Sequence, residues 1–312
     1  MNLHNLKIVI FGGTGLVGSS LVEKLSHYQL ELFYPNRDEI SLFKYQKINN
    51  YLNKISPDFV INCAGKVGGI AINNENQYEF LLKNLEIGKN IIASCIENKV
   101  SNFINLGSSC MYPSNILNRK LKENDILSGA FEKTNEGYAL AKVAILKLCQ
   151  FTNKKNNNNF KTLIPCNLYG PNDKFDTYRA HLIPAIINKV HNAKVNNVNE
   201  IEIWGSGEVR REFMFSGDLA DFIIFAINNW NKIPEVVNVG MGKDLSVNEY
   251  YKKISEILDW SGSFYHNTIK PDGIKNKLMN TDIINNLGWT PKIDLKTGIK
   301  ITYDFYKNTL VA

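Results

Sequence analysis

A short apolar segment that runs directly into a glycine-rich turn constrains the fold of this chain more than any other feature. Leu6 to Phe11 has the branched and aromatic residues of a buried strand, and Gly12-Gly13-Thr14-Gly15-Leu16-Val17-Gly18 follows it. Glycines at this spacing permit a tight turn, let a pyrophosphate approach the backbone and let the next helix pack closely. The unpaired amides at the start of that helix favour an anion. The segment therefore predicts a dinucleotide-binding strand, turn and helix.

The first half of the chain alternates strand-like and helix-like segments. Apolar patterning predicts strands at 6–11, 30–34, 58–63, 102–107 and 160–166, and helices near 16–27, 39–54, 75–98 and 136–155. This alternation predicts an α/β fold with a Rossmann-type, doubly wound parallel sheet, whose ligands bind beyond the carboxyl ends of the strands. After residue 172 the pattern is less regular. There we predict helices near 181–192, 217–229, 246–258, 281–287 and 295–308, and strands ending at Trp204 and spanning 236–239.

The residues after the second predicted strand indicate which dinucleotide binds. Enzymes that use NAD usually carry an acid there for the ribose diol. This chain has Tyr34-Pro35-Asn36-Arg37-Asp38, with Arg37 near the expected position. A guanidinium pairs well with a 2′-phosphate, so the sequence favours NADPH. The alternative is that Arg37 only opens the next helix beside Asp38.

A tyrosine and a lysine four residues apart form the centre of a predicted catalytic site. Tyr138 and Lys142 would share one face of a helix, where the ammonium is expected to lower the pKa of the phenol. The strand at 102–107 ends in Ser108, a hydroxyl placed to polarise a carbonyl group. A surface helix would explain Tyr138 and Lys142 alone, but the three residues together favour a carbonyl reductase.

The composition of the chain limits the classes of protein to which it can belong. The 312 residues carry a net charge of +6, spread among acids and asparagines without the basic clusters of a nucleic-acid binder. The five cysteines are odd in number and lack metal-type pairing, so we predict free thiols, no metal and a cytoplasmic location. No apolar run is long enough for a signal peptide or membrane span, so we predict no membrane association.

Several motifs resemble the GDP-L-fucose synthases (GDP-4-keto-6-deoxymannose 3,5-epimerase/4-reductases), a family of extended short-chain dehydrogenases/reductases, over almost the whole chain. The matching runs are 63–70 (CAGKVGGI), 107–113 (GSSCMYP), 135–138 (NEGY), 167–173 (NLYGPND), 181–185 (HLIPA), 204–207 (WGSG), 210–213 (RREF), 271–273 (PDG) and 277–279 (KLM). The resemblance implies that Ser108, Tyr138 and Lys142 reduce the ketone. It implies that Cys110 and His181 are the acid/base pair for epimerisation.

The resemblance also implies the ligand contacts. The expected cofactor-binding residues are Gly12, Thr14, Gly15, Leu16, Val17, Arg37, Ala64, Lys142, Asn167, Leu168 and His181. The expected substrate-binding residues are Val67, Ser108, Ser109, Cys110, Tyr138, Lys189, Trp204, Arg211 and Lys277. It further implies a GDP-linked 4-keto sugar as substrate, a role in making surface (capsular) polysaccharide, and a homodimer through helices 75–98 and 136–155. We assign residues 1–172 to an NADP(H)-binding domain, to which residues 214–240 return. We assign residues 173–213 and 241–312 to a lobe that binds the GDP-sugar.

At three places the sequence departs from the family pattern, and these differences allow other substrates. Thr14 stands where arginine is frequent, and 176–180 and 214–218 differ from the family's usual sequences. A GDP-4-keto heptose or another GDP-4-keto hexose is therefore an alternative substrate, reduced with or without epimerisation. More remote alternatives are a redox-neutral, NAD-dependent sugar epimerase or dehydratase and a non-catalytic NADPH-binding protein.

Overall fold

The computed structural model describes residues 3–116, 119–176, 180–270 and 274–311. The motif residues 177–179 and 271–273 lie outside these ranges. The strands are β1 (Lys7–Phe11), β2 (Glu31–Phe33), β3 (Phe59–Asn62), β4 (Asn102–Leu106), β5 (Asn159–Pro165), β6 (Asn167–Tyr169), β7 (Glu200–Trp204), β8 (Arg210–Arg211), β9 (Phe213–Phe215), β10 (Val236–Val239), β11 (Leu245–Ser246) and β12 (Ser263–Asn267). The helices are α1 (Leu16–Leu25), α2 (Tyr45–Ile55), α3 (Ile70–Glu75), α4 (Gln77–Glu97), α5 (Glu136–Asn156), α6 (Leu182–Val195), α7 (Ser216–Asn228), α8 (Val247–Ile257), α9 (Asp282–Asn286) and α10 (Leu295–Val311).

A six-stranded parallel sheet forms the centre of the molecule, in the order β10-β5-β4-β3-β1-β2. The chain order reverses between β1 and β3, which are adjacent, and this is where ligands bind in such sheets. The late strand β10 adds to β5 at the edge of the sheet. The predicted α/β fold class is confirmed. The carboxyl ends of β1, β3 and β4 place residues 12, 63 and 107 side by side.

Helices cover both faces of the sheet, and each face has its own apolar core. On one face α1 and α7 pack through Leu21, Leu25, Phe222 and Ile223, all fully buried. On the other face α2, α4 and α5 cover the sheet with side chains that include Leu52, Ile91 and Ile145. Burial of both sheet faces explains why the strands are almost continuously apolar.

A third core lies outside the sheet. Helices α6, α8 and α10 contribute Ile187, Ile254 and Ile299, and the parallel pair β7–β12 contributes Ile203. By contrast, Met279, Ile284 and Trp289 pack in the core of the sheet with α7, although the sequence assigned that segment to the smaller lobe. None of the helices in the described ranges is both long enough and apolar enough to cross a membrane.

Two predicted helices differ in extent from those observed. The helix expected from residue 39 begins at Tyr45, because Asn36 Oδ1 accepts from the amides of Asp38 and Glu39 and holds that segment in a turn. The helix expected near 75–98 is α4, which begins two residues later at Gln77, and the separate helix α3 before it was not predicted. Strands β6, β8, β9, β11 and β12 were missed because each is short or without clear alternation.

Candidate active site

The glycine-rich turn forms a cradle in which side chains would collide. A Cβ on Gly12, whose φ is +82°, would lie 2.6 Å from the amide nitrogen of Ala64. A Cβ on Gly18 would lie 2.0 Å from the carbonyl oxygen of Gly12. Helix α1 starts at Leu16 without a side-chain cap, so its first amides remain available to an anion. Thr14 and Gly15 are exposed at the turn, and Leu16 and Val17 are half-buried behind it. These features fit the binding of a dinucleotide pyrophosphate.

The loop after β2 presents Arg37 to solvent. Arg37 is exposed and forms no ion pair with any residue in the described ranges. The loop itself is held by Asn36 and Glu39, whose carboxylate accepts from the Asn36 amide at 2.8 Å. Tyr34 packs so closely on the glycine turn that a Cβ on Gly13 would lie 2.6 Å from the Tyr34 Cβ. This contact brings the Arg37 loop next to the cradle, as a 2′-phosphate contact requires.

The serine segment after β4 is fixed by a buried tyrosine. Ser108 Oγ accepts from the Cys110 amide at 3.2 Å and starts a 3₁₀ turn, Ser109–Met111. Tyr112, which is fully buried, donates to Asn238 Oδ1 on β10 at 2.6 Å. Ser108 and Cys110 are thus presented by a short, anchored turn at the carboxyl end of β4.

Helix α5 brings the predicted tyrosine and lysine to the same turn. The Tyr138 phenol lies close enough to Ser108 for the serine to lower the pKa of the phenol. Lys142 is 8% exposed and donates to the carbonyl oxygen of Leu106 at 2.8 Å. A Cβ on Gly65 would lie 3.8 Å from Lys142 Nζ, so the segment after β3 passes directly beside the lysine. The structure therefore brings Ser108, Tyr138 and Lys142 together.

The electrostatics of this cluster differ from the expectation in one respect. Burial raises the pKa of the Tyr138 phenol, nearby Cys110 raises it further, and the Ser108 hydrogen bond only partly offsets both. The expected lowering of the Tyr138 pKa by Lys142 is therefore not found. The reason is that desolvation dominates, and the ammonium lies 5.7 Å from the centroid of the phenol ring. Burial also lowers the pKa of Lys142, to about 8.

The two predicted acid/base residues lie on different segments of the chain. Cys110 is half-buried, and its sulfur lies 3.6 Å from Asn135 Nδ2. His181 immediately precedes α6; burial lowers the pKa of its imidazole, and the charge of Lys174 lowers it further. The ammonium of Lys174 lies 3.3 Å from the carbonyl oxygen of Val67, a predicted substrate residue. Lys174 thus connects the region of His181 with the segment after β3.

The predicted nucleotide-binding residues fall into two groups in the second lobe. Lys189 donates to the Glu202 carbonyl oxygen at 2.9 Å, and its nitrogen lies 5.5 Å from the centroid of the Trp204 ring, which is 48% exposed. Arg211 donates to the Ile274 carbonyl oxygen at 2.6 Å, and Lys277 is buried three residues further along that segment. An exposed indole flanked by cations suits a nucleotide base next to phosphates.

Two residues of the predicted cofactor site anchor the backbone. Asn167 donates from Nδ2 to the Glu212 carbonyl oxygen at 2.9 Å, and Leu168 packs against the core of the sheet. Sequence reasoning missed Asn135, whose side chain lies beside Cys110, and Glu132, which accepts a hydrogen bond from Asn135. The signal available was the position of Asn135 three residues before Tyr138 in the same matched run.

Comparison with known proteins agrees with this geometry. Residues 8–240 match the NAD dependent epimerase/dehydratase family. The chain is 42% identical to GDP-L-colitose synthase of Yersinia pseudotuberculosis, over 97% of this chain and 98% of that protein. It is 44% identical to GDP-L-fucose synthase of Azorhizobium caulinodans, over 96% of each. The chain belongs to the GDP-L-fucose synthase family.

A solved structure extends the comparison to three dimensions. The GDP-mannoheptose C4 reductase of Campylobacter jejuni with NADP bound is 32% identical and superposes with a TM-score of 0.88, over 98% of this chain and 99% of that one. The comparisons confirm the predicted family and fold class, and they agree with the predicted enzyme class and NADP(H) cofactor.

Proposed function

We propose that this GDP-L-fucose synthase family member is an NADPH-dependent C4-reductase of a GDP-linked 4-keto sugar. The observation that carries the proposal is the meeting of Ser108, Tyr138 and Lys142 at the carboxyl end of β4, beside the glycine cradle. A ketone bound there would find two hydroxyl groups and one buried cation. NADPH, when bound, supplies the hydride for C4.

The three residues have separate tasks in this reaction. Ser108 donates a hydrogen bond that polarises the C4 carbonyl oxygen. The raised pKa keeps Tyr138 protonated at neutral pH, so the phenol holds the proton that the reduced oxygen needs. Lys142, with a pKa of about 8, remains mostly charged at neutral pH, and its ammonium would hold the ribose of the nicotinamide.

Cys110 and His181 give the site the groups for epimerisation before reduction. A ketone at C4 acidifies the protons on C3 and C5, so a sulfur and an imidazole on opposite faces of the sugar could invert either centre through an enolate. The lowered pKa leaves His181 neutral near pH 7, so it must gain a proton before it can return one to carbon. We propose 3,5-epimerase activity on this basis; reduction without epimerisation is the alternative.

The sugar is the least constrained part of the proposal. Relatives of similar identity are a fucose synthase and a colitose synthase, whereas the structural neighbour is a heptose reductase. Lys189, Trp204, Arg211 and Lys277 would hold the GDP portion common to these substrates, and Val67 and Ser109 would contact the sugar. A GDP-4-keto-6-deoxyhexose is our first candidate and a GDP-4-keto heptose our second.

We further propose the arrangement of the enzyme in the cell. NADP(H) binds to 1–172 together with 214–240, and the GDP-sugar to 173–213 with 241–312. Helices α4 and α5 leave Tyr78, Leu82, Leu140 and Phe151 from 41% to 75% exposed, and this apolar surface supports a homodimer. We place the enzyme in the cytoplasm, in the synthesis of nucleotide sugars for surface polysaccharide.

Turnover assays test the proposed reaction. The purified protein is incubated with NADPH and a panel of GDP-4-keto sugars, and products are identified by NMR. We expect Tyr138→Phe to bind NADPH normally and to lose about 10²–10⁴-fold in turnover, because the phenol acts in the transition state. Tyr265→Phe, the same change on exposed β12, is the control. A Tyr138→Phe variant with full activity, or a parent that reduces none of these sugars, would contradict the proposal.

A further inference from the structure

The side chain of Asn135 is buried at the active site and only partly bonded. It is 8% exposed, and its Nδ2 group lies 3.1 Å from Glu132 Oε2 and 3.6 Å from the sulfur of Cys110. Its Oδ1 atom has no hydrogen-bond partner among the described residues. Asn135 comes just before α5 but makes no side-chain capping bond to that helix. The start of the helix therefore does not explain why an asparagine stands here.

Glu132 determines which way the amide of Asn135 points. The Glu132 carboxylate, when ionised, can only accept hydrogen bonds, so the atom of Asn135 beside it must be the NH₂ nitrogen. Thr134 Oγ1 donates to the other carboxylate oxygen at 3.0 Å and fixes the orientation of Glu132. The amide therefore offers its second N–H to Cys110 and cannot offer its carbonyl oxygen in the same place. A sulfur that receives an N–H is stabilised as the thiolate.

We propose that Asn135, oriented by Glu132, is a positioning residue that holds Cys110 and stabilises its thiolate for epimerisation. This inference rests on the proposed epimerase function and deepens it. In the proton-removal step the thiolate takes a proton from the carbon beside the ketone, and the electron pair of the C–H bond passes to the enolate. His181, which has taken a proton from solvent water, then returns a proton to that carbon on the opposite face, and the Cys110 thiol releases its proton to solvent. The open Oδ1 atom accepts from a hydroxyl of the sugar, which removes the cost of leaving it buried and unpaired.

Alkylation of Cys110 tests the inference without any sugar substrate. The rate of reaction of Cys110 with iodoacetamide is followed by peptide mass across a pH series in the parent, Asn135→Ala and Asn135→Asp. Both variants remove the N–H donor, and aspartate also keeps the volume and adds a like charge. We expect the midpoint of the rate profile to move up by about one pH unit, with roughly tenfold slower alkylation at pH 7. Asn90→Ala, a comparably buried asparagine on α4 that bonds to Leu42, should leave the profile unchanged.

The outcomes separate this inference from the proposed function. An unchanged alkylation profile in Asn135→Asp overturns the role of Asn135, whatever the enzyme's substrate. If Asn135→Ala fails to fold, the isosteric aspartate variant still decides. In D₂O with a GDP-4-keto sugar, both variants should lose deuterium uptake at C3 and C5 at least tenfold while NADPH binding is retained. A parent that takes up no deuterium contradicts the epimerase proposal but leaves the alkylation result to decide on Asn135.

Discussion

The ammonium of Lys142 donates to the carbonyl oxygen of Leu106 at 2.8 Å, which ties α5 to the end of β4. The lysine keeps this position at a cost, because burial lowers its pKa from the ordinary 10.5 to about 8. The protein therefore carries a charge in its interior at neutral pH. A group retained under such a penalty is expected to act on a ligand.

Replacing this lysine should make the protein more stable at neutral pH. Because the folded pKa of Lys142 is about 8, the unfolded chain binds more protons between pH 8 and 10.5, and the stability of the parent rises over that range. Below pH 8 the folded protein carries the full free-energy cost of the buried charge on Lys142. We expect Lys142→Met to raise the free energy of unfolding at pH 7 by about 1–3 kcal/mol, after loss of the Leu106 bond, while NADPH binding and turnover fall.

Urea denaturation at pH 7 and pH 10 measures this effect. The advantage of Lys142→Met should shrink at the higher pH, whereas exposed Lys154→Met on the same helix should show no such trend. A Lys142→Met protein less stable than the parent at pH 7 would show that the interior accommodates the charge without penalty.

The glycine cradle gives a second prediction. A Cβ at Gly12 would lie 2.6 Å from the Ala64 nitrogen, so Gly12→Ala must move the backbone and should weaken NADPH binding at least tenfold. Gly288→Ala is the matched control, since its φ is +85° and nothing lies within 4 Å of the new Cβ. It should lose about 1 kcal/mol of stability through backbone strain and bind NADPH normally. Calorimetric titration distinguishes the two; equal affinities for both variants would argue against the cradle.

We predict that the choice of cofactor depends on Arg37. Arg37→Ala should weaken NADPH binding at least tenfold and leave NADH binding unchanged, because one charge-assisted contact contributes about 1.5–3 kcal/mol. Lys44→Ala, which removes another exposed cation from the same region, should leave the ratio of the two affinities unchanged. If the parent enzyme binds NADPH and NADH with equal affinity, Arg37 makes no contact with the 2′-phosphate.

Epimerisation and reduction should separate in one variant. A serine hydroxyl is too weak an acid to replace the thiol, so Cys110→Ser should abolish deuterium uptake at C3 and C5 in D₂O. NADPH-driven reduction of a ketone that is already epimerised should survive, since Ser108, Tyr138 and Lys142 are intact. Cys63→Ser is the control, because burial raises the pKa of the Cys63 thiol to about 12 and keeps it protonated. Uptake that persists in Cys110→Ser would assign the proton transfer to another group.

The sheet and the cluster of Ser108, Tyr138 and Lys142 could be predicted from the sequence because their signals are local. Apolar strands followed by Gly12 and Ser108, and the spacing of Tyr138 and Lys142, each lie within a few residues. The extra strand pairs could not be predicted, because β7 and β12 meet across about 60 residues without a pattern of their own. The pKa of Tyr138 was predicted in the wrong direction because the sequence shows which charge is near but not how much water is excluded.

The bond between Tyr112 and Asn238 joins residues 126 positions apart, and it bears on how the enzyme is made. While the chain is being synthesised, β5 has no neighbour on its outer side until β10 emerges, and Tyr112 has no acceptor for its buried hydroxyl. The turn that carries Ser108 and Cys110 can reach its final packing only after residue 238 has left the ribosome. A nascent chain that ends before β10 therefore contains the segments that carry Ser108, Cys110 and Tyr138 but lacks the contact that fixes the serine turn.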